Sequence, residues 1–571
     1  MGAATIAEAL AERASSPRGI VFLGEDNEIA RWTFGDLKEL AARAAGAWHD
    51  LGVRPGDRVG LLGSTTPDLV AAIFGCWASG VVAVPLAVPL RVTSVEALVE
   101  EVRSRAHKAQ ISVLAVDDGI VPLVPDGAID VPIVEMSILR TKGREVALAE
   151  FDPDTPALIQ FTSGSTASPK GVALSHRTLM SNAYAAAEHE RMTPDDVCVS
   201  WLPLYHDFGL IGLTLWPLII DMQTHLMAPE TFIGSPKRWV HAMSKYRATI
   251  TAAPNFAYGL AARALRQSGD GIDLSSLRLA ANGAEPLDIE TMDEFVAAAT
   301  PRGLPDGACI GVYGLAEATL GVSAPAPGEP PPPWLVDGAR LAAEGLVTEV
   351  GADHPHARAL VSVGRAIPGV EAAIKTPAGD TLADGTVGEV WLKTEHAMLG
   401  YWDDPEATAQ TMVDGWIRTG DLGVFGPDGL YITGRLKDMI IVGGRNLYPE
   451  DAERAANRIP GVRKGNAVAF GIVAGQWSAT KPGGSGGPPP GWKKAKEGVV
   501  VIAETRLVGE EAATLAKQIA SEVRKVLRVA ADQVVLLVPG SLPKTPSGKL
   551  QRALTRKLYE AEQLMSSVVA S

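Results

Sequence analysis

At 571 residues, with 46% apolar and 21% charged side chains, the chain is too long for one hydrophobic core and too apolar to stay unfolded, so two or more folded domains are expected. Its net charge of −14 argues against nucleic acid or an anionic membrane as the main partner, because both call for a basic surface. Three widely spaced cysteines, Cys76, Cys198 and Cys309, suit reduced thiols in a cytoplasm and give neither a disulfide framework nor a zinc cluster. No basic start followed by an apolar run marks a secretory signal.

In chain order, Thr33-Phe34-Gly35-Asp36 reads as a capping box, and Leu37, Leu40, Ala41, Ala44 and Trp48 recur behind it at helical spacing. Val59 to Leu62 reads as a buried strand. The run Leu69 to Leu90 carries no charge and is long enough to cross a bilayer. Its glycines and prolines, and the β-branched stretch Val81 to Val84, predict instead a buried helix followed by a central strand, with no integral membrane span. Ile111 to Val116 and Val131 to Glu135 continue an alternation that predicts parallel sheets covered by helices.

Between the apolar runs Ala157 to Phe161 and Val172 to Leu174 stands Thr162-Ser163-Gly164-Ser165-Thr166-Ala167-Ser168-Pro169-Lys170-Gly171. A strand, a turn and a strand would bring hydroxyls, backbone N–H groups and one ammonium together at a loop tip, as a phosphate chain requires. The Walker A spacing is absent, and taken alone the run reads more readily as a polar hairpin. Further on, Leu179 to Glu190 is expected to be helical. Strands are expected at Val197 to Leu202, Thr249 to Ala253, Leu277 to Ala281 and Cys309 to Tyr313. Each runs into a polar or glycine-rich loop, and ligands of open α/β sheets gather at the carboxyl ends of strands, so one shared cleft is implied.

Ala324 to Trp334 is proline-rich, and weak periodicity to about His356 predicts an inserted, partly extended segment. Strands return from Ala359. A polar connector, Gly434-Arg435-Leu436-Lys437-Asp438, marks the expected boundary between a large domain, 1–434, and a small α+β domain, 435–571. The small domain is expected to hold a helix from Pro449, a loose Gly/Pro loop over 481–491, a strand at Val499 to Ala503, a helix over 510–526 and a strand at Val534 to Val538.

Seven segments, in order, resemble the adenylate-forming superfamily of acyl-CoA synthetases, adenylation domains and luciferases over essentially the whole chain. They are Thr162 to Gly171, Tyr205-His206-Asp207, Gly283-Ala284-Glu285-Pro286, Tyr313-Gly314-Leu315-Ala316-Glu317, Arg418-Thr419-Gly420-Asp421, Gly434 to Asp438, and Pro543-Lys544-Thr545-Pro546-Ser547-Gly548-Lys549. The resemblance implies an α/β fold. Its large N-terminal domain would combine helix-covered mixed and parallel sheets with a barrel-like β subdomain and an insertion at about 321–359, followed by a small mobile α+β domain. It also implies ATP and Mg2+. Thr162, Ser163, Gly164, Ser165, Thr166 and Lys170 would take the β- and γ-phosphates, and Glu317 the metal. Tyr313, Gly314, Ala316 and the backbone of Gly283, Ala284 and Glu285 would flank the adenine. Asp421 would accept from the ribose, Arg435 would donate to ribose or phosphate, and Lys437 would be the hinge. Lys549 is the implied catalyst, worth ~10²- to 10³-fold in rate. His206 is implied beside the substrate carboxylate, although a lone histidine near an apolar stretch also reads as structural; Asp207 would be structural.

Within that superfamily, the Leu315-Ala316-Glu317-Ala318-Thr319 context, the insertion, Gly444 to Asp451 and Trp201 to Asp207 resemble the fatty acyl-AMP ligases. That branch implies a fatty acid substrate and acyl transfer to the phosphopantetheine thiol of a separate acyl carrier protein, since no attachment site for such an arm is seen in the sequence. A fatty acyl-CoA ligase and an idle scaffold on the same fold are the alternatives. Trp239, Phe256 and Tyr258 could line an acyl tunnel or fill the core.

Overall fold

A computed structural model describes residues 2–88, 95–125, 127–162, 169–269, 271–442, 445–472, 498–545, 548–564 and 567–570. Ser163 to Ser168, Gly444, Pro546, Ser547 and the expected loop over 481–491 lie outside the described residues.

Two seven-stranded sheets form the large domain. In the first, Cys309–Gly311, Leu279–Asn282, Ile250–Ala253, Val197–Ser200, Gln223–Met227 and Gly19–Leu23 lie side by side in parallel, and Glu28–Thr33 closes the edge antiparallel. The second runs Gly400–Tyr401, Gly171–Ser175, Pro156–Phe161, Val82–Leu86, Arg58–Leu62, Val113–Val116, Ile133–Glu135. It is parallel except where Gly171–Ser175 meets its two neighbours. Helices Phe34–Asp50, Pro67–Ala78 and His176–His189 fill the space between the sheets, with Trp48, Phe74 and Trp77 fully buried in one core shared by both. The first of these helices begins at the expected capping box: the Asp36 N–H donates to Thr33 Oγ1 at 3.0 Å and the Thr33 N–H to Asp36 Oδ2 at 2.8 Å.

The charge-free run 69–90 divides as expected, into the helix Pro67–Ala78 and the strand Val82–Leu86. Among the described residues no helix is long and apolar enough to cross a membrane. All three thiols are free and buried within the large domain.

A five-stranded antiparallel sheet follows, built on the long strand Trp416–Gly426, which pairs with Gly388–Thr394 on one side and Gly429–Arg435 on the other. The inserted segment is more regular than its composition suggests. Trp334–Asp337 pairs antiparallel with Ala357–Leu360. A helix, Gly338–Glu344, starts where the Asp337 carboxylate accepts from the N–H groups of Ala339 and Arg340, and it ends at Gly345 in the left-handed region (φ 66°).

Beyond the turn Leu436–Asp438, the last 130 or so residues form a four-stranded sheet ordered Val462–Ile472, Gly498–Thr505, Ala531–Leu537, Val568–Ala570. Helices cover both of its faces. Val499, Val501 and Ala503 pack on Pro449–Asn457 and Gly509–Leu527, whereas Val500 and Ile502 pack on the side of Arg552–Glu560. A strand covered on both faces has no polar alternation, which is why Gly498–Thr505 reads as an unbroken apolar run.

Candidate active site

The carboxyl ends of four parallel strands of the first sheet, the hairpin of the second, the antiparallel sheet and the small domain all open onto one cleft of about 2010 Å³. The hairpin Pro156–Phe161 to Gly171–Ser175 is closed by the Thr162 N–H, which donates to the Lys170 carbonyl at 3.0 Å. This holds Thr162 and Lys170 at the neck, with the expected phosphate-binding tip between them outside the described residues. The Lys170 ammonium sits 4.4 Å from the centre of the Tyr401 ring, and Tyr401 Oη donates to Glu317 Oε1 at 2.7 Å. Cation, aromatic ring and carboxylate thus stand in one row. Glu317 rides on the short turn Ala316–Ala318, followed by Thr319 at φ 70°. A β-branched residue is strained there. The bond from Thr319 Oγ1 to the His396 carbonyl, at 2.6 Å, helps to hold it.

Asp421 and Arg435 face each other across paired strands, and Arg435 Nε donates to Asp421 Oδ1 at 2.8 Å. Tyr313 Oη donates to Asp421 Oδ2 at 2.7 Å. The carboxylate is fixed by one cationic and one neutral donor, and it holds the guanidinium firmly charged. Burial first, then the charge of Asp421, pushes the Tyr313 hydroxyl far above its usual range, so it stays a donor. Gly314 and Ala316 line the same wall. Opposite them Gly283 has no room for a Cβ, which would meet the Val312 side chain at 2.9 Å, and Ala284 adopts φ 68°. The Glu285 side chain does more than the sequence suggests: Oε1 accepts from the Phe256 N–H at 2.7 Å. Burial raises its carboxyl, while that N–H and the ammoniums of Lys549 and Lys544 pull the other way.

Lys549 reaches this wall from the small domain. Its Nζ lies 2.8 Å from His206 Nε2, and His206 Nδ1 lies 2.6 Å from Asp207 Oδ1. With Nδ1–H donating to the carboxylate, Nε2 is left to accept from the lysine. The loop is held by two bonds, from the Thr545 N–H to the Lys549 carbonyl at 2.7 Å and from the Lys549 N–H to Thr545 Oγ1 at 3.0 Å. Gly548 takes φ 90°, and a Cβ there would press on the Phe256 ring at 3.0 Å, so glycine is what lets the loop enter. Burial lowers the pKa of Lys549, with Asp207 and Glu285 opposing. Asp207 is itself pulled up by burial but ends below its ordinary value, because His206, Lys549 and the Phe208 N–H favour the anion. Lys437 also faces the cleft: burial and Arg435 lower its pKa, while Asp438, Asp421 and Glu317 oppose.

After Asp207 the chain winds as a wide helix, Phe208–Leu215, with i→i+5 bonding of the kind that recurs at functional sites. Beside Phe208 the cleft has an apolar arm, lined by Leu279 at the start of its strand and by Ala281, Val312, Leu320 and Val322. Of the three aromatics considered for a tunnel, Trp239 and Tyr258 are fully buried. They are bonded to Thr251 Oγ1 and the Ala281 carbonyl, at 3.1 and 2.9 Å, so they are core, and Phe256 alone lines the cleft. The sequence also gave no sign of Tyr401, whose partners are distant in the chain. Nor did it single out Gln160, which ties the hairpin to the His206 loop through a 2.5 Å bond to the Tyr205 carbonyl.

Charge pairs join the small domain to the large one. Arg454, Arg458 and Lys464 meet Asp288, Glu290 and Glu294. The insertion contributes as well: Arg358 pairs with Asp451 at 3.2 Å and stacks over the Tyr448 ring at 4.3 Å, and His356 contacts Arg528. Near the connector, Arg552 binds Asp438, Glu450 and Glu453 at 2.6, 3.0 and 2.9 Å.

A lysine carried by a separate domain onto a histidine beyond the carboxyl end of a central strand, beside a cleft whose groups suit phosphate, ribose and a metal, fits the joining of a carboxylate to a nucleoside phosphate. Fold and site together define an adenylate-forming enzyme. The chain belongs to the AMP-binding enzyme family, whose profile matches residues 10–402. It is 32% identical over 568 residues to a putative acyl-CoA synthetase of Caulobacter vibrioides, covering 98% of this chain and 95% of that one. It is 31% identical over 557 residues to a medium-chain-fatty-acid–[acyl-carrier-protein] ligase of Moorena producens, covering 93% and 90%. Among solved structures it superimposes on one from a study of fatty acyl-adenylate ligases of E. coli and L. pneumophila with a TM-score of 0.87, 30% identity and 98% of each chain covered.

Proposed function

We propose that the protein is a fatty acyl-AMP ligase. A carboxylate oxygen of the fatty acid attacks the α-phosphorus of ATP, forming the acyl–phosphate bond as the bond to pyrophosphate breaks. The thiol sulfur of a phosphopantetheine arm on a separate acyl carrier protein then attacks the acyl carbon, and AMP leaves. The observation that carries this reading is the Lys549 ammonium inside the cleft, 2.8 Å from His206. There it offsets the repulsion between two anions as they meet, the electrostatic work that dominates such transfers. Asp207 orients His206, and Asp421 with Tyr313 and Arg435 is the group suited to a ribose. Among the described residues no three acidic, histidine or cysteine side chains cluster as a protein-built metal cage. A single carboxylate, Glu317, completed by substrate phosphates fits Mg2+, which binds in that way and would neutralise charge on the departing pyrophosphate.

Carrier protein, and not free CoA, as acceptor is supported by the insertion's contacts with the small domain through His356 and Arg358, which favour the pose that holds Lys549 in the cleft. The test is mass-spectrometric: purified protein, ATP, Mg2+ and a ladder of fatty acids, alone, with CoA, or with a phosphopantetheinylated carrier. Acyl-AMP should accumulate, persist with CoA and be consumed by the carrier, and Lys549→Ala should lower its formation ~10²- to 10³-fold. Rapid acyl-CoA formation would instead make the protein an acyl-CoA ligase, and no pyrophosphate release with any acid would leave the idle scaffold.

A further inference from the structure

Residues lining the apolar arm of the cleft carry polar groups without a hydrogen-bond partner among the described residues. Glu190, one of the lining residues and 6% exposed, has an Oε2 buried without a hydrogen-bond partner among the described residues. Two more residues that line the cleft carry such buried, unpartnered atoms: the indole N–H of Trp216, 8% exposed, and the hydroxyl of Ser323, 3% exposed. The nearest cation does not relieve Glu190. Arg278 spends Nε and NH2 on the Asp196 carboxylate at 2.8 and 2.7 Å, and it gives NH1 only to the Glu190 backbone carbonyl at 3.0 Å. His189 turns its ring to the Ala324 carbonyl, at 2.9 Å. Glu190 also caps the C-terminus of the helix His176–His189, where the helix dipole disfavours an anion. Burial accordingly raises its carboxyl to about 7, against the pull of Arg278.

A plain alkyl tail would leave all three groups without partners, which is the costly arrangement for buried polar atoms. Indole N–H asks for an acceptor, a carboxyl offers both a donor and an acceptor, and Ser Oγ offers both; a hydroxyl answers each of them. We propose that the arm recognises a carboxylic acid bearing a hydroxyl at the far end of its chain, with Glu190 as its principal partner. This deepens the adenylation reading above and rests on it.

The test compares kcat/KM for pyrophosphate release, with full-length protein, for pairs of acids of equal length ending in methyl, hydroxyl or ammonium. At the best length the hydroxy acid should lead its methyl partner by about tenfold to a hundredfold, the usual cost of leaving a buried polar group without a partner. Glu190→Leu should abolish that preference while still adenylating the methyl acid. Glu190→Gln, which keeps a donor and an acceptor, should retain part of it. Should Glu190→Leu fail to fold, Ser323→Ala gives a second reading, with a smaller loss of the same preference. Equal or reversed rates for the pair in the wild type would overturn the hydroxyl assignment and leave the ligase reading standing, as would a leading ammonium acid or an unchanged ratio in Glu190→Leu. Adenylation of no acid in any series would overturn both.

Discussion

The pKa of Lys549 controls its usefulness. In the proposed reaction the ammonium is the form that balances phosphate charge, and burial shifts its loss of a proton below the ordinary lysine value of ~10.4. The kcat/KM for adenylate formation, which reports the free enzyme, should therefore fall on the alkaline side at a pH below that value. Lys549→Arg, charged throughout, should be slower but should lose that alkaline limb. A limb unmoved by the substitution would assign it to another group. At the wall proposed to bind the ribose, Tyr313→Phe removes one neutral donor from Asp421 while Arg435 remains. A bond of that kind is worth ~1 kcal/mol, so the KM for ATP should rise about fivefold with kcat little changed. Asp421, Arg435 and Tyr313 were legible in the sequence as separate motifs. Their mutual bonds were not, because a hydrogen bond between residues 108 positions apart leaves no local pattern.

Elements that start and stop with strong local chemistry were readable, and those that depend on partners were not. The capping box at Thr33 and the helix–strand division of 69–90 followed from spacing alone. The insertion did not, because its helix is only seven residues long and its signals, Asp337 at the start and Gly345 at the end, follow closely on a proline-rich run that dominates the composition. The wide helix Phe208–Leu215 was invisible for another reason: an apolar run has no period to betray one extra residue per turn. On the small domain, the helix Arg552–Glu560 is tied to the connector through Arg552, which serves three carboxylates at once. Glu450 is 8% exposed, so Arg552→Ala would strand it beside Glu453. Urea unfolding of that variant should show a loss of about 3–5 kcal/mol, the cost of breaking a buried charge cluster from one side. A loss below ~1 kcal/mol would mean the cluster is effectively solvated.

The whole molecule carries a built-in acid limit in the core between its two sheets. His176 is fully buried, and burial lowers its pKa to about 3 from an ordinary 6.5. Its Nδ1 can accept from the Ile6 N–H, at 3.5 Å, only while it is neutral. The unfolded chain binds a proton there below pH ~6.5 and the folded chain does not, so stability is full above that pH and falls as pH drops towards 3. The shift corresponds to roughly 5 kcal/mol at the bottom of the window. His176→Gln should flatten the dependence of the unfolding midpoint between pH 6.5 and 4, and an unchanged slope would place the acid sensitivity elsewhere. At this scale the alternation of strands and helices was enough to foresee parallel sheets with a cleft at their carboxyl ends. How the small domain sits on it was not foreseeable, because that depends on charge pairs such as Arg454 with Asp288, between groups 166 positions apart.

The three buried thiols have a consequence for a protein that makes an activated acyl group. Burial holds Cys198 and Cys309 up at about 12 and Cys76 higher still, so almost no thiolate exists at neutral pH to intercept a mixed anhydride. Acylation of the chain's own cysteines is disfavoured without any dedicated shield. The chain's own thiols should therefore react slowly with alkylating reagents in the native state, and in a mixture with a carrier that has no cysteine of its own the loss of the phosphopantetheine thiol should act as a direct clock for the second half of the reaction.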